Sequence, residues 1–593
     1  MKASTRIALD ALVCALLMAR WFAIWGYNFG WSDNAIHVSF ITAASDETLF
    51  PGDPLIEAAR HHPELLRSVL APLADTVALE WIFLALQLVS LAMMLGGVRA
   101  LTLAAGSDPG ARLQVWLGAL MASNALDTLA GIKSFEWFFF HRNLVLGPLL
   151  WALALGLRGR LVPAFLIAGV VFNLHPTSGS HCALLLFSGA LLQPGRWRAI
   201  GLGSLAFVAA ALPLVWVITS QGSAAGVDYP APDAWWQLNR LQVYFHHFPR
   251  DWTYEDHWQY LLAPLALTTA SALALRSRVV LGYVLGTMMT CAVGVVGVEL
   301  LRHPIFVQLH IFQITRFLPF LGFGCGAAWA LRAWRRERLA GITVVAALLL
   351  MALGQAAWLT LVVTALAVIA ELHGRRAKAR SIARDSATDR RAHRVPAWLT
   401  PALLVLMTVV QLIKFDGAAL WGRWSIQATL ARLPGHDVMV WSRNHLPPDA
   451  VVAIPPYFWS PLTSFRYVAR RSIVATYKDG GEVSFSEEYA QEWRERIEAL
   501  CHCEPFRDLG RDASLYDEWV RRRRLILDGY RTADAARFRA LRERYGATYA
   551  VVEKLAIDDD DTGVWSADAG TPVTQPSLPV VYDGPRFRVY RIE

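Results

Sequence analysis

The sequence predicts a multi-pass α-helical membrane protein that ends in a soluble α/β domain, and three observations predict it. Of 593 residues, 55% are hydrophobic and only 18% charged, with mean hydropathy +0.35, which is too apolar for a single soluble domain. Apolar runs of roughly membrane length recur through the first two thirds of the chain, separated by short basic clusters. Past residue 418 the apolar runs shorten and charge rises. The net charge of +8 sits mostly in those clusters, which is how topology is written, and no nucleic-acid partner is expected.

The first run, 7–26, follows Lys2 and Arg6, is long for a signal-peptide core and has no small-x-small cleavage site after it, so a retained first span is expected. Further spans are expected near 78–98, 113–130, 143–157, 161–174, 179–194, 199–219, 259–275, 279–299, 317–332, 340–353, 356–371 and 397–414, about thirteen in all. An N-terminus inside puts Arg99, Arg112, Arg158, Arg160, Arg196, Arg198, Arg276, Arg278 and Arg335 on the cytoplasmic side, with the basic loop 373–394. The loops 26–77, 131–142, 175–178, 220–258 and 300–316 then share the opposite side with everything after Phe415. The run 340–371 lies between two basic clusters that must share a side, so it is split at 354–358 into a hairpin of two short helices.

The division is therefore a membrane domain, 1–417, and an extracytoplasmic domain, 418–593, of about 175 residues, large enough for its own core. Strands are expected at 451–455, 472–476 and 547–554, with a hairpin over 579–592 turning at Asp583 and Gly584. Amphipathic patterns give helices near 486–500, 514–528 and 533–545. The acidic run Asp558 to Asp561 lacks calcium-loop spacing and reads as a solvated loop. Cys501 and Cys503 flank His502 on the side where a disulfide is permitted, though a C-x-C bridge closes a tight ring.

Candidate chemistry concentrates on one side. The stretch WSDNAIHVSFITAASDETLFPGDP, 31–54, places acid and imidazole where a short turn would suffice. Asp33 and His37 lie one turn apart on a helix expected over 34–44, whose stripe Ile36, Phe40 and Ala43 suits a membrane interface. Two readings of this turn stand: Ser32 or Asp33 caps the helix, or Asp33 has a catalytic or metal role. As a base it would take the proton of a hydroxyl attacking an anomeric carbon. Asp46, Glu47 and Asp53 follow in the same loop, and Glu136, His141 and Arg142 occupy the next. The motif NLHPTSG projects His175 near the outer interface, where the broken backbone is its bland partner. In 302–317 the steps His310, Gln313 and Arg316 form a drifting polar stripe on an apolar helix. Arg316 is the residue best suited to an anionic lipid headgroup, because a guanidinium stays charged when buried and grips a phosphate bidentately. The loop 220–258 adds Arg240, His246 and His247; its adjacent histidines diverge, and no metal ligands are assigned. No Walker motif, G-x-G-x-x-G unit or H-E-x-x-H is present.

The long first outer loop with its early acid and interfacial helix, the LFPGDP that follows, the dozen spans and the extracytoplasmic tail together resemble the C-type glycosyltransferase superfamily, multi-pass enzymes that use polyprenyl-phosphate sugars. The tail NHLPPDAVVAIPPYFWSPLTSFRYVARRSIVATYKDGG also resembles that of a poorly characterised bacterial membrane protein group. The resemblance implies a hexosyl or pentosyl transferase of the bacterial inner membrane, with Asp33 and His37 catalytic. Arg316, His310, His175, Arg240, His141 and Arg142 would bind substrate. It further implies a polyprenyl-phosphate-linked donor, a lipid or glycan acceptor and surrounding membrane lipids as partners. Asn34 stands where many relatives have a second acid, which leaves a divalent cation as an open question; no other cofactor is expected. Arg466, Arg470, Arg471, Lys478 and Trp493 match the tail pattern without a role attached. A transporter or flippase of a lipid-linked substrate, or a non-catalytic scaffold of a glycan-synthesis complex, are the rival classes.

Overall fold

The structure, a computed structural model, describes residues 3–60, 65–106, 114–124, 126–220, 227–253, 257–354, 357–382, 395–396, 398–414, 431, 435–458, 462–506, 515–555 and 573–593. The acidic run 558–561, the basic loop from 383 to 394 and the domain junction over 415–430 lie outside them.

The chain is mostly helical. α1 (Ala3–Trp25) precedes a first loop that holds α2 (Asp33–Ser45), α3 (Pro54–Arg60) and α4 (Leu65–Ala74). Next come α5 (Leu79–Ala104), a short α6 (Leu117–Ala122), α7 (His141–Leu157), α8 (Leu161–Phe172), α9 (Pro176–Leu191) and α10 (Trp197–Ser220). The second long loop contains α11 (Asp233–His247). After it follow α12 (Gln259–Leu275), α13 (Arg278–Val295), α14 (Pro304–Gln308), α15 (Phe317–Arg336), α16 (Arg338–Ala352), α17 (Ala357–Ile382) and α18 (Leu399–Lys414). Among the described residues six helical stretches are long and apolar enough to cross a bilayer: Ile7–Trp25, Leu79–Ala104, Trp197–Ser220, Arg278–Leu300, Pro304–Arg336 and Ala357–Arg375. α10 leaves Leu202, Leu205, Val208, Leu212 and Trp216 exposed, an apolar face that suits lipid and not water.

Helices approach closely where side chains are small. A methyl added at Gly147 of α7 would lie 2.5 Å from the Met93 backbone of α5, so these two helices meet backbone to backbone. Arg20, 4% exposed within α1, donates to Ser123 Oγ at 2.6 Å and Asn124 Oδ1 at 3.0 Å, and to Gln411 of α18. A buried cation is thereby satisfied by neutral oxygens and ties α1 and α18 to the end of α6. The expected basic clusters meet at one end: Arg336 and Arg375 share Glu371, and Arg375 donates to the Ala274 carbonyl.

The hairpin expected in 340–371 is present as α16 and α17, joined through Gly354 at φ 62°. The span expected at 113–130 is not. α6 is only six residues long, and among the described residues of 123–140 the backbone forms no further helix or strand, with one isolated bridge between Asp127 and Lys133. Buried backbone outside helices and strands needs its polar groups paired by protein, and Asn143, fully buried, pairs them here. Its Nδ2 donates to the Glu136 and Phe138 carbonyls at 3.0 Å, and its Oδ1 accepts from Glu136 N. The apolar count of 113–130 was thus membrane-like because the segment is buried in protein. The stripe of α2 is a second correction: Ile36, Phe40 and Ala43 are 6–7% exposed and join the protein core, so α2 does not lie on an interface.

The C-terminal domain contains α19 (His436–His445), β1 (Val451–Ala453), α20 (Phe465–Ala469), β2 (Ser472–Ile473), α21 (Glu487–Cys501), α22 (Leu515–Arg531), α23 (Ala535–Tyr545), β3 (Ala547–Glu553), β4 (Val580–Asp583) and β5 (Phe587–Arg591). They form a five-stranded sheet in the order β2-β1-β3-β5-β4, parallel across β2, β1 and β3 and antiparallel from β3 onward. The expected strands, hairpin and helices are each found, within a few residues at their ends. Cys501 and Cys503 form a disulfide.

This domain is seated on the membrane part through polar contacts. Arg466 of α20, 3% exposed, binds Asp53 Oδ2 at 2.7 Å and both oxygens of Asp479 at 2.9 and 2.8 Å. Ile473 N donates to Asp53 Oδ2 at 3.2 Å, and Ser472 Oγ to the Pro51 carbonyl at 2.9 Å. On the other flank α11 contributes Trp235 Nε1 to the Val483 carbonyl at 3.1 Å and Gln242 Nε2 to the Tyr477 carbonyl at 3.0 Å. The segment 476–484 is therefore wedged between the first and second long loops.

Candidate active site

Asp33 owes its position to the turn before it. Gly30 adopts φ 77° and Ser32 φ 52°, and Asn34 locks the turn: its Oδ1 accepts from Gly30 N at 2.7 Å and its Nδ2 donates to the Phe139 carbonyl at 2.9 Å. Ser32 makes no side-chain cap bond, so the capping reading of this turn fails for Ser32, and Asp33 becomes the first residue of α2. A carboxylate there is favoured by the helix dipole. The Asp33 side chain is 31% exposed, enough to be reached by a substrate.

Two cations hold it. Lys478 Nζ, from the C-terminal domain, pairs with Asp33 Oδ1, and Arg142 Nη2 stands 3.6 Å from Oδ2. Burial alone would raise the Asp33 pKa, but the Lys478 ammonium and the Arg142 guanidinium override it and hold the carboxyl well below the usual carboxylate range. Arg142 also binds Glu136 Oε1 at 2.8 Å and lies 4.3 Å from the Phe140 ring centroid. At Glu136 burial wins over Arg142, and its carboxyl is pushed up.

Arg316 enters from beyond. Residues Ile311–Arg316 form a 3₁₀ helix leading into α15, with His310 at its N-cap in the left-handed region, φ 45°. In a 3₁₀ helix positions i and i+3 eclipse, so Gln313 and Arg316 stay in line and the stripe does not drift as it would on an α-helix. Arg316 Nε donates to the Ser134 carbonyl at 3.1 Å and Nη2 to the Arg142 carbonyl. It makes no ion pair among the described residues. Arg142 therefore links the two halves of the site, its side chain reaching Asp33 and its carbonyl receiving Arg316.

The histidines form two groups. His37, His141 and His175 follow one another, with ring centroids 4.9 Å and then 4.7 Å apart. His175 is satisfied by the broken backbone, its Nδ1 capping α9 by accepting from Ser178 N at 3.1 Å, and its ring lies tilted against that of His141. In the second group His310 is 4.6 Å from His247 and 6.2 Å from His246. The kink of α11 at Val243 turns this pair inward. His247 is fully buried, and among the described residues neither of its ring nitrogens has a hydrogen-bond partner. Burial pushes the His246 imidazole down to about 4 and drives His247 lower than usual too, so both are neutral at pH 7. Arg240 makes a bidentate ion pair with Asp251 of its own loop, at 2.7 and 2.6 Å.

Beside His37 and His141 opens a cleft walled by Ile41, Leu66, Leu70, Phe83, Phe139 and Phe140, with Arg67 among them. An apolar wall next to ionic groups suits a molecule with a hydrocarbon chain and a charged head. A divalent cation fits poorly: Asp33 is taken by an ammonium, Asn34 by the backbone, and among the described residues no three His, Cys, Asp or Glu converge as a ligand set. Sequence reasoning missed Lys478 as a member of the site. Its one signal was a lysine set in IVATYKDGG, where the preceding run is apolar.

A family model described as a domain of unknown function, DUF6798, matches residues 435–500, a stretch that includes Arg466, Lys478 and Asp479. No curated protein matches. Among solved structures the chain is similar to ArnT from Cupriavidus metallidurans bound to undecaprenyl phosphate, with 14% identity, TM-score 0.40, and 100% and 99% of the two chains covered. It is similar to the same protein in the apo state at 14% identity and TM-score 0.41, with the same coverage. It is also similar to the archaeal oligosaccharyltransferase AglB from Archaeoglobus fulgidus in complex with an inhibitory peptide and a dolichol-phosphate. There the identity is 10% and the TM-score 0.41, over 92% of this chain and 69% of that one.

Proposed function

We propose that this chain is a glycosyltransferase of the bacterial inner membrane that moves a sugar from a polyprenyl-phosphate donor to a lipid or glycan acceptor at the periplasmic face. The observation that carries the reading is the cluster of a reachable carboxylate, Asp33, with the cations Lys478 and Arg142 and, through the Arg142 carbonyl, Arg316, while an apolar cleft opens at the neighbouring His37 and His141. The sequence resemblance to the C-type superfamily supplies the substrate class.

The chemistry needs two things from the protein. The acceptor hydroxyl attacks the anomeric carbon while its proton passes to Asp33, and the bond from that carbon to the phosphate oxygen breaks with the electron pair leaving on polyprenyl phosphate. A positioned base contributes about a hundredfold or more. Guanidinium and ammonium groups fixed near the departing phosphate stabilise the charge that grows there without reorganising. Arg316 suits that role, since its remaining donor capacity is not committed to a carboxylate. His37, His141 and His175, adjacent to both, orient hydroxyls. An acceptor on the periplasmic side agrees with the loop asymmetry of basic residues, which puts the C-terminal domain outside.

The test is transfer of radiolabelled sugar from synthetic polyprenyl-phosphate donors by the purified full-length protein in detergent, with Asp33→Ala, Asp33→Asn and Arg316→Ala variants and an EDTA control. Loss of transfer in all three, with a cooperative thermal transition retained, is expected. If no donor in a broad panel is turned over, while polyprenyl phosphate still binds and Asp33→Ala leaves that binding unchanged, the enzyme reading falls and transport or scaffolding takes its place.

A further inference from the structure

Asp33 as it stands is a poor base. Both of its oxygens face cations, and a carboxylate held well below its usual range has little tendency to take a proton from a hydroxyl. Building on the transferase reading, we propose that Lys478 is a counter-ion that changes partners. It binds Asp33 when the site is empty and passes to the donor's phosphate when the donor arrives, so that Asp33 is released as a base only with donor in place.

The geometry allows only that kind of motion. The backbone around Lys478 is fixed on every side: Thr476 N donates to Asp479 Oδ2 at 2.8 Å, and Trp493 Nε1 to the Thr476 carbonyl at 2.9 Å. Gln242 Nε2 reaches the Tyr477 carbonyl at 3.0 Å, and Tyr489 OH the Asp479 carbonyl at 3.1 Å. Arg466 clamps the Asp479 carboxylate at 2.9 and 2.8 Å. What can swing is the four-carbon stem, whose ammonium lies 4.7 Å from the Phe458 ring centroid. A lysine suits exchange better than an arginine, because it is a point charge with rotatable donors and does not form the two-pronged grip of a guanidinium. The acceptor of the charge is also defined. Arg316 donates to the Arg142 carbonyl and the Arg142 guanidinium stands 3.6 Å from Asp33, so a phosphate gripped between Arg316 and Arg142 is the negative charge that competes with Asp33 for Lys478. The C-terminal domain then contributes a residue to the reaction, instead of only covering the cleft.

The experiment compares wild type, Lys478→Met and Lys478→Arg as full-length protein in detergent, with two readouts. One is binding of undecaprenyl phosphate, which requires no turnover. The other is the pH dependence of kcat against that of kcat/KM, since the first reports Asp33 in the loaded enzyme and the second in the free enzyme. The groups facing Asp33 from the packed elements are Lys478, Arg142, His37, His246 and Glu136. Exchange predicts that the acid limb of kcat lies at higher pH than that of kcat/KM in wild type, and that Lys478→Met closes the gap. It also predicts about tenfold weaker undecaprenyl phosphate binding in Lys478→Met, as for one lost charge-assisted hydrogen bond, with binding retained in Lys478→Arg. Coincident limbs in wild type, or equal binding by wild type and Lys478→Met, overturn the exchange and leave the transferase reading intact. A wild type that turns over no donor sinks the transferase reading, and the binding arm still decides whether Lys478 meets phosphate. Lys478→Arg, which keeps the charge, guards against a Met variant that fails to fold.

Discussion

Asp53→Ala is expected to loosen the C-terminal domain from the membrane part. Asp53 is fully buried, and its Oδ2 lies 2.7 Å from Nε of Arg466, itself 3% exposed. The same oxygen accepts from Ile473 N at 3.2 Å, while Oδ1 accepts from Leu55 N at the start of α3. Removing one partner of a buried pair costs about 3–5 kcal/mol when the other charge is stranded. Here Asp479 still holds Arg466 bidentately, so the lower end of that range applies. Loss of the helix-capping acceptor adds about 1 kcal/mol. The sum, about 4 kcal/mol, corresponds to a fall in Tm on the order of 10 °C for a domain of this size. Asp53→Asn keeps the caps and falls by less. Thermal unfolding in detergent, read alongside limited proteolysis of the C-terminal domain, measures it. An Asp53→Ala protein melting within a degree or two of wild type would refute the view that the Asp53–Arg466–Asp479 triad anchors this domain.

Three further outcomes are expected. His175→Ala loses the cap on Ser178 N and about 1 kcal/mol with it, whereas His175→Asn restores stability but not transfer; wild-type transfer by His175→Asn would show that the imidazole serves only as a cap. Gly147→Ala drives a methyl to 2.5 Å from the Met93 backbone and destabilises by about 1–3 kcal/mol, seen as a lower Tm, while the exposed Gly481→Ala, with open space around it, changes little. Stability falls as pH drops from about 6.5 toward 4, because His246 and His247 stay neutral in the fold while the unfolded chain binds their protons in that window. A Tm profile flat between pH 7 and 5, or one that His247→Phe leaves unchanged, contradicts that assignment.

The reach of the sequence differed between the two parts of the chain for a physical reason. In the C-terminal domain the period of the apolar residues reports directly on local structure, so β1, β3, the β4–β5 hairpin and α21 to α23 were all legible. Within the membrane part the span-like runs are almost wholly apolar, and composition cannot tell a helix facing lipid from a segment buried in protein. That is why 113–130 read as a span although, among its described residues, α-helix covers only Leu117–Ala122, and why the stripe of α2 read as interfacial although it is buried.

The same division holds at the site. The multi-pass helical class, the α/β tail and the candidacy of Asp33, Arg142, His175 and Arg316 were legible in the sequence, because a charged or imidazole group near membrane depth is costly and stands out against apolar neighbours. Only the tertiary structure decided their partners. Lys478 is 445 residues from Asp33 and meets it because Arg466, bound to Asp53 and Asp479, seats the tail on the first loop. Arg240, equally prominent in sequence, is committed to Asp251. Ion pairing depends on distance in space, and a one-dimensional pattern holds the charges without the fold that brings them together.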